Sequence, residues 1–137
     1  MLIKKNNFIK KFKYTILLMG VVLSLITIAK VKIKYYSIGI VMFSAFIVLW
    51  SILPYIIYVL VASRVKNKTK TVSAGMLLLG VDISFHIYIF FFPGSSTDAI
   101  SLLFLPFWLI ILVIPIGILL GGLIDKVIYI AKVKGYK

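Results

Sequence analysis

The sequence predicts an all-α membrane protein: a bundle of four transmembrane helices with both termini in the cytoplasm. Three observations carry that expectation. Four long apolar stretches, Tyr14–Ala29, Tyr35–Ala62, Val72–Phe92 and Ala99–Ile124, are joined by short polar connections. A bilayer core about 30 Å thick is crossed by about 20 apolar residues rising about 1.5 Å each, and the last three stretches reach that length. A hydrophobic content of 63% and a mean hydropathy of +1.17 over 137 residues leave a single membrane domain, residues 1–137, with no room for a separate soluble catalytic domain.

The first stretch spans about 20 residues, from Phe12 to Val31, once the flanking lysines snorkel to the interface. It also has the form of a signal peptide. Met1–Lys13 is basic, Tyr14–Ile26 has the length of an apolar h-region, and Thr27-Ile28-Ala29 offers a small-x-small cleavage site. Retention is the favoured reading, because threonine is a mediocre residue three positions before a cleavage point. The spans then cover about 14–31, 35–62, 72–92 and 99–124.

The second stretch must tilt or protrude. Pro54 removes the bond to the Trp50 carbonyl and predicts a kink. Tyr35 and Tyr36 at one end, and Tyr55 and Tyr58 towards the other, suit the aromatic belts of the two interfaces. Arg64–Lys70 reads as a short solvated loop that serves as an orientation signal.

Phe90–Asp98 ends the third stretch in aromatics, turns at Pro93-Gly94, and sets Ser95 and Asp98 in the spacing of a capping box, with Ser96 between them in the outer loop. The same unpaired N–H groups could instead hold an anion, but a cap explains the residues without further assumption. The fourth stretch carries Pro106 and Pro115, nine residues apart, which predicts bends facing opposite sides. Gly117 and Gly121 form a GxxxG followed by Gly122. Small residues at this spacing admit another helix closely, and the preferred reading is packing within the chain rather than self-association.

The charges orient the bundle. Of 16 Lys and Arg, 13 lie in the N-terminal segment, the second connection and the C-terminal segment, and three (Lys30, Lys32, Lys34) in the first connection. The positive-inside rule puts the larger group in the cytoplasm. A formal charge of +13 would suggest nucleic acid in a soluble protein. Here the cations flank apolar segments and meet lipid headgroups instead. The expected partners are the lipid bilayer and another membrane protein or a second copy, with no nucleic acid.

Two ionisable residues lie deep in a span. Asp82 and His86 are spaced i, i+4 and project from one helix face. An isolated carboxylate at that depth costs several kcal/mol, so it must be paired, protonated or in contact with a wet cavity. They read equally well as a proton or cation relay, as a hook for a partner helix, or as a clasp to Ser, Thr or Tyr of neighbouring spans. Asp125, beside Lys126, reads as half of an interfacial charge pair.

Catalytic constellations are not evident. One His and no Cys cannot assemble a zinc site without several carboxylates, and the three Asp residues lie at different depths. There is no Gly-rich phosphate loop, so neither cofactor nor metal nor enzymatic activity is expected.

The stretch Phe92-Pro-Gly-Ser-Ser-Thr-Asp-Ala-Ile-Ser-Leu-Leu-Phe-Leu-Pro106 resembles one in small uncharacterised bacterial inner-membrane proteins, where a Ser-Ser-Thr run and a downstream Pro flank the start of the last helix. That resemblance implies a place in the bacterial cytoplasmic membrane and lends no activity. In format, Ile- and Lys-rich with four spans, the chain is similar to membrane immunity proteins against pore-forming bacteriocins. Two functions follow as expectations. One is a non-enzymatic interaction protein, either an immunity protein against a membrane-active toxin or an accessory subunit of a membrane complex. The other is a small oligomeric ion- or proton-coupled transporter or channel subunit that uses Asp82 and His86.

Overall fold

A computed structural model describes residues 2–30, 38–92 and 98–134. Its elements are α1 (Leu2–Lys30), α2 (Ile38–Arg64), α3 (Lys68–Phe91), α4 (Asp98–Trp108), a π-helical turn (Leu109–Val113) and α5 (Ile114–Lys134). The turn joins α4 and α5 into one continuous fourth span. Among the described residues there is no strand, and all four spans are long and apolar enough to cross a membrane. The all-α four-helix expectation holds.

The helices outrun the apolar stretches. α1 runs back through its lysines to Leu2, and α5 runs on to Lys134, ten residues past the expected end of span four. Lysine is a good helix former, so a hydrophobic boundary does not end a helix. α2 remains helical through Pro54. At Pro115 the missing N–H and the ring's clash with the preceding turn are accommodated by the π turn, in which the Ile114 N–H bonds the Leu109 carbonyl five residues back.

α1 packs along α2 and against α3, while the fourth span packs along α3 through α5 and against α2 through α4. α2 and α3 follow each other in sequence, yet their backbones approach at few points. They lie across the bundle from each other, while the first and second spans and the third and fourth are direct neighbours. Tyrosine is long enough to bridge that gap. Tyr55 and Tyr58 of α2 reach across to α3 and are 0% and 1% exposed. The sequence placed these two rings in an interfacial belt; they are core residues instead.

The fourth span meets α3 through glycine. A Cβ on Gly117 would lie 2.5 Å from the Ala74 Cα, and one on Gly121 would lie 2.5 Å from the Lys70 Cα. Gly122 faces the Lys70 side chain, where a Cβ would meet Cε at 3.3 Å. The GxxxG face is therefore filled by the chain's own α3. Gly20 of α1 makes room in the same way for the Tyr55 ring.

Polarity is inverted relative to a soluble domain. Ser24, Thr27, Thr71, Asp82 and His86 are buried, whereas Leu18, Phe46, Leu60, Phe104 and Leu119 are exposed. An apolar exterior around a partly polar interior suits a bilayer, where lipid is the outer solvent.

Candidate functional site

At the centre of the bundle, three helices meet through four side chains. Asp82 and His86 stand one turn apart on the inward face of α3, 4% and 8% exposed. His86 Nδ1 lies 3.1 Å from Asp82 Oδ1 and 2.9 Å from the Asp82 carbonyl oxygen. On the far side of the imidazole, Nε2 lies 2.9 Å from Thr27 Oγ1 of α1. The Tyr55 hydroxyl of α2 donates to Asp82 Oδ2. The resulting string runs Tyr55–Asp82–His86–Thr27 and ties α2 to α3 to α1. Of the readings offered by the i, i+4 spacing, this geometry is the internal clasp, and Tyr55 and Thr27 are the partners that complete it.

Donor and acceptor counting limits the protonation of this string. The Thr27 hydroxyl has one hydrogen to give, to the Leu23 carbonyl at 3.0 Å or to His86 Nε2 at 2.9 Å, and the tautomer of the imidazole decides which. Nδ1 faces two acceptors, a carbonyl and a carboxyl oxygen, so a proton lies on that side of the ring, between Nδ1 and Asp82. Among the described residues no buried side-chain polar atom lacks a partner.

The clasp forms one wall of a cavity of about 360 Å³ between the four spans. Ser24 and Thr27 of α1 also line it, as do Leu103, Pro106 and Leu109 from the fourth span. From α2 come Ile40, Phe43, Ser44, Ile47, Trp50 and Ser51, whose spacing puts them on one helix face. All these residues belong to the halves of the helices away from the two termini. Trp50 fixes α2 to α4 there by donating its indole N–H to the Leu103 carbonyl at 2.7 Å.

A second polar contact holds the opposite end. Asn67 caps α3, accepting from the Thr69 and Lys70 N–H groups at 2.9 and 3.3 Å. Its amide donates to Asp125 of α5. Asp125 thus engages the start of α3, where the sequence paired it with Lys126. The connection read as a bare solvated loop contains a helix cap. Ser95 and Ser96 lie outside the described residues, and Asp98 opens α4.

Among the described residues, no three His, Cys, Asp or Glu side chains converge on a point that could hold a metal ion. Four apolar spans and an apolar exterior define an integral, multi-pass membrane protein. No protein-family model, curated protein or solved structure matches the chain.

Proposed function

We propose that this is a non-enzymatic protein that acts by contact within the bilayer, as an immunity protein against a membrane-active toxin or as an accessory subunit of a membrane complex, in the bacterial cytoplasmic membrane. One observation carries the reading: the ionisable and small residues that could serve chemistry or passage are used to hold the bundle together. Asp82 and His86 are saturated by Tyr55 and Thr27, and Gly117 and Gly121 are covered by α3. What remains for a partner is the apolar exterior, including Phe46, Leu49 and Leu60 of α2. The test is site-specific photo-crosslinking from positions 46, 49 and 60 in native membranes, with mass spectrometry of the adducts. One stoichiometric protein adduct, confined to a single face, supports the reading; lipid adducts alone from every position overturn it.

The runner-up is a small oligomeric ion- or proton-coupled transporter or channel subunit. It is favoured by the hydrogen-bonded string that borders the cavity, since such a string can pass a proton along its length. Equal proton flux in vesicles carrying wild-type or Asp82→Asn protein would sink it.

A further inference from the structure

The cavity beside the clasp has a feature that the clasp does not explain. Hydroxyl groups inside helices commonly bond the carbonyl four residues back, and Ser24, Thr27, Ser63, Thr71 and Ser84 all do so. Ser44 and Ser51 do not. Both line the cavity, and among the described residues neither hydroxyl has a hydrogen-bond partner. They stand seven residues apart on one face of α2, about 10 Å along its axis, in a wall that is otherwise mostly apolar.

From this arrangement we infer that the cavity binds an uncharged, hydroxyl-bearing lipid of the monoacylglycerol type, its chain along the apolar wall and its polar group on Ser44 and Ser51. Size admits such a chain, since the cavity holds about 360 Å³. A 150 Å³ apolar cavity already admits a benzene-sized molecule, so a slender chain fits. Charge excludes an ionic head. Asp82 and His86 are already engaged by each other, by Tyr55 and by Thr27, so a charged group entering beside them would lose hydration without a free partner. The remaining polar lining is hydroxyl, which pairs with hydroxyl and ester oxygen.

The test uses the full chain in phosphatidylcholine vesicles with a diazirine-bearing monoacylglycerol, irradiated and mapped by mass spectrometry. Label concentrated at Phe43, Ile47 and Leu103, and displaced by monoolein but not by oleoyl-trimethylammonium, is the expected result. Ser44→Ala and Ser51→Ala should each weaken labelling about fivefold, the worth of one hydrogen bond. Ile47→Trp should abolish it by filling the space, with far-ultraviolet circular dichroism confirming the fold. Label spread evenly over lipid-facing residues such as Leu60 and Leu119 overturns the inference. So does equal labelling of the Ile47→Trp protein, or displacement by the cationic amphiphile. No partner protein is present in these vesicles, so the outcome is independent of the crosslinking result in native membranes.

Discussion

Replacing Gly117 by alanine sets a Cβ 2.5 Å from the Ala74 Cα, and replacing Gly121 does the same against the Lys70 Cα, with the Thr69 carbonyl oxygen at 2.9 Å. The neighbours are backbone atoms that no rotamer change can move, so α5 must retreat from α3. Overpacking of this kind costs about 1–3 kcal/mol. A rigid backbone neighbour puts these sites near the upper figure. Alanine returns about 0.8–1 kcal/mol in helix propensity, so each variant should lose about 2 kcal/mol, roughly a thirtyfold fall in the folded-to-unfolded ratio. Gly80 is the internal control: a Cβ there meets nothing within 4 Å, so Gly80→Ala should be neutral or gain up to about 1 kcal/mol. Titration with sodium dodecyl sulfate from mild-detergent micelles, followed by tryptophan fluorescence, measures all three. If Gly117→Ala is as stable as Gly80→Ala, the close approach of α3 and α5 is wrong. If it instead leaves the monomer intact and abolishes a dimer, the glycines face a second copy.

Tyr55→Phe keeps the ring over Gly20 but removes the donor to Asp82 Oδ2. Interhelical hydrogen bonds in membranes are worth about 0.6 kcal/mol on average and about 1.7 at most, so a loss of about 1–2 kcal/mol in the same titration is expected at this buried carboxyl. Asn67→Ala removes the cap of α3 and the donor to Asp125. It should cost about 1 kcal/mol and speed amide exchange at Thr69 and Lys70 while exchange at His86 is unchanged. Pro115→Ala restores an N–H and permits an ordinary α-turn in place of Leu109–Val113. Losing the extra residue of the π turn rotates α4 by about 100° against α5. That should break the bond from Trp50 to the Leu103 carbonyl, read as a shift of the Trp50 indole N–H resonance.

Span number and class were legible because both depend on apolar length, which needs no tertiary information. Gly117 and Gly121 were legible for a similar reason, since a small-residue face has meaning whatever packs on it. Tyr55 and Tyr58 were misplaced because position along a span was used where rotation about its axis decides. Their partners Asp82 and Thr71 sit on a helix that lies across the bundle, a relation the three-residue link between α2 and α3 conceals. Thr27 was read only as part of a cleavage site, and no local signal marks it as the residue facing His86. Ser44 and Ser51 did carry a signal: seven residues apart on an otherwise apolar face, they share one side of α2. Asn67 carried another, an N-cap type standing just before the third apolar stretch.

Placement of the cavity follows from how the two halves of the bundle are held. Towards the termini, Gly117 and Gly121 let the fourth span touch the α3 backbone, and Gly75 makes room for the Tyr58 ring. Farther along, α2 presents Phe43 and Trp50, and the fourth span presents Leu103 and Leu109. Side chains of that size hold the helices apart, and the contacts there are single hydrogen bonds: Trp50 to Leu103, Tyr55 to Asp82, Thr27 to His86. Hydrogen bonds fix direction without filling volume, so the space between them stays open. With no hydrophobic drive between helices in lipid, each Å³ left empty forfeits dispersion contacts that nothing else replaces. A ligand at about a hundred times its dissociation constant adds about 2.7 kcal/mol, comparable to what one glycine contact supplies at the other end. Stability of this half should therefore depend on what fills the cavity, while the half zipped by glycine does not.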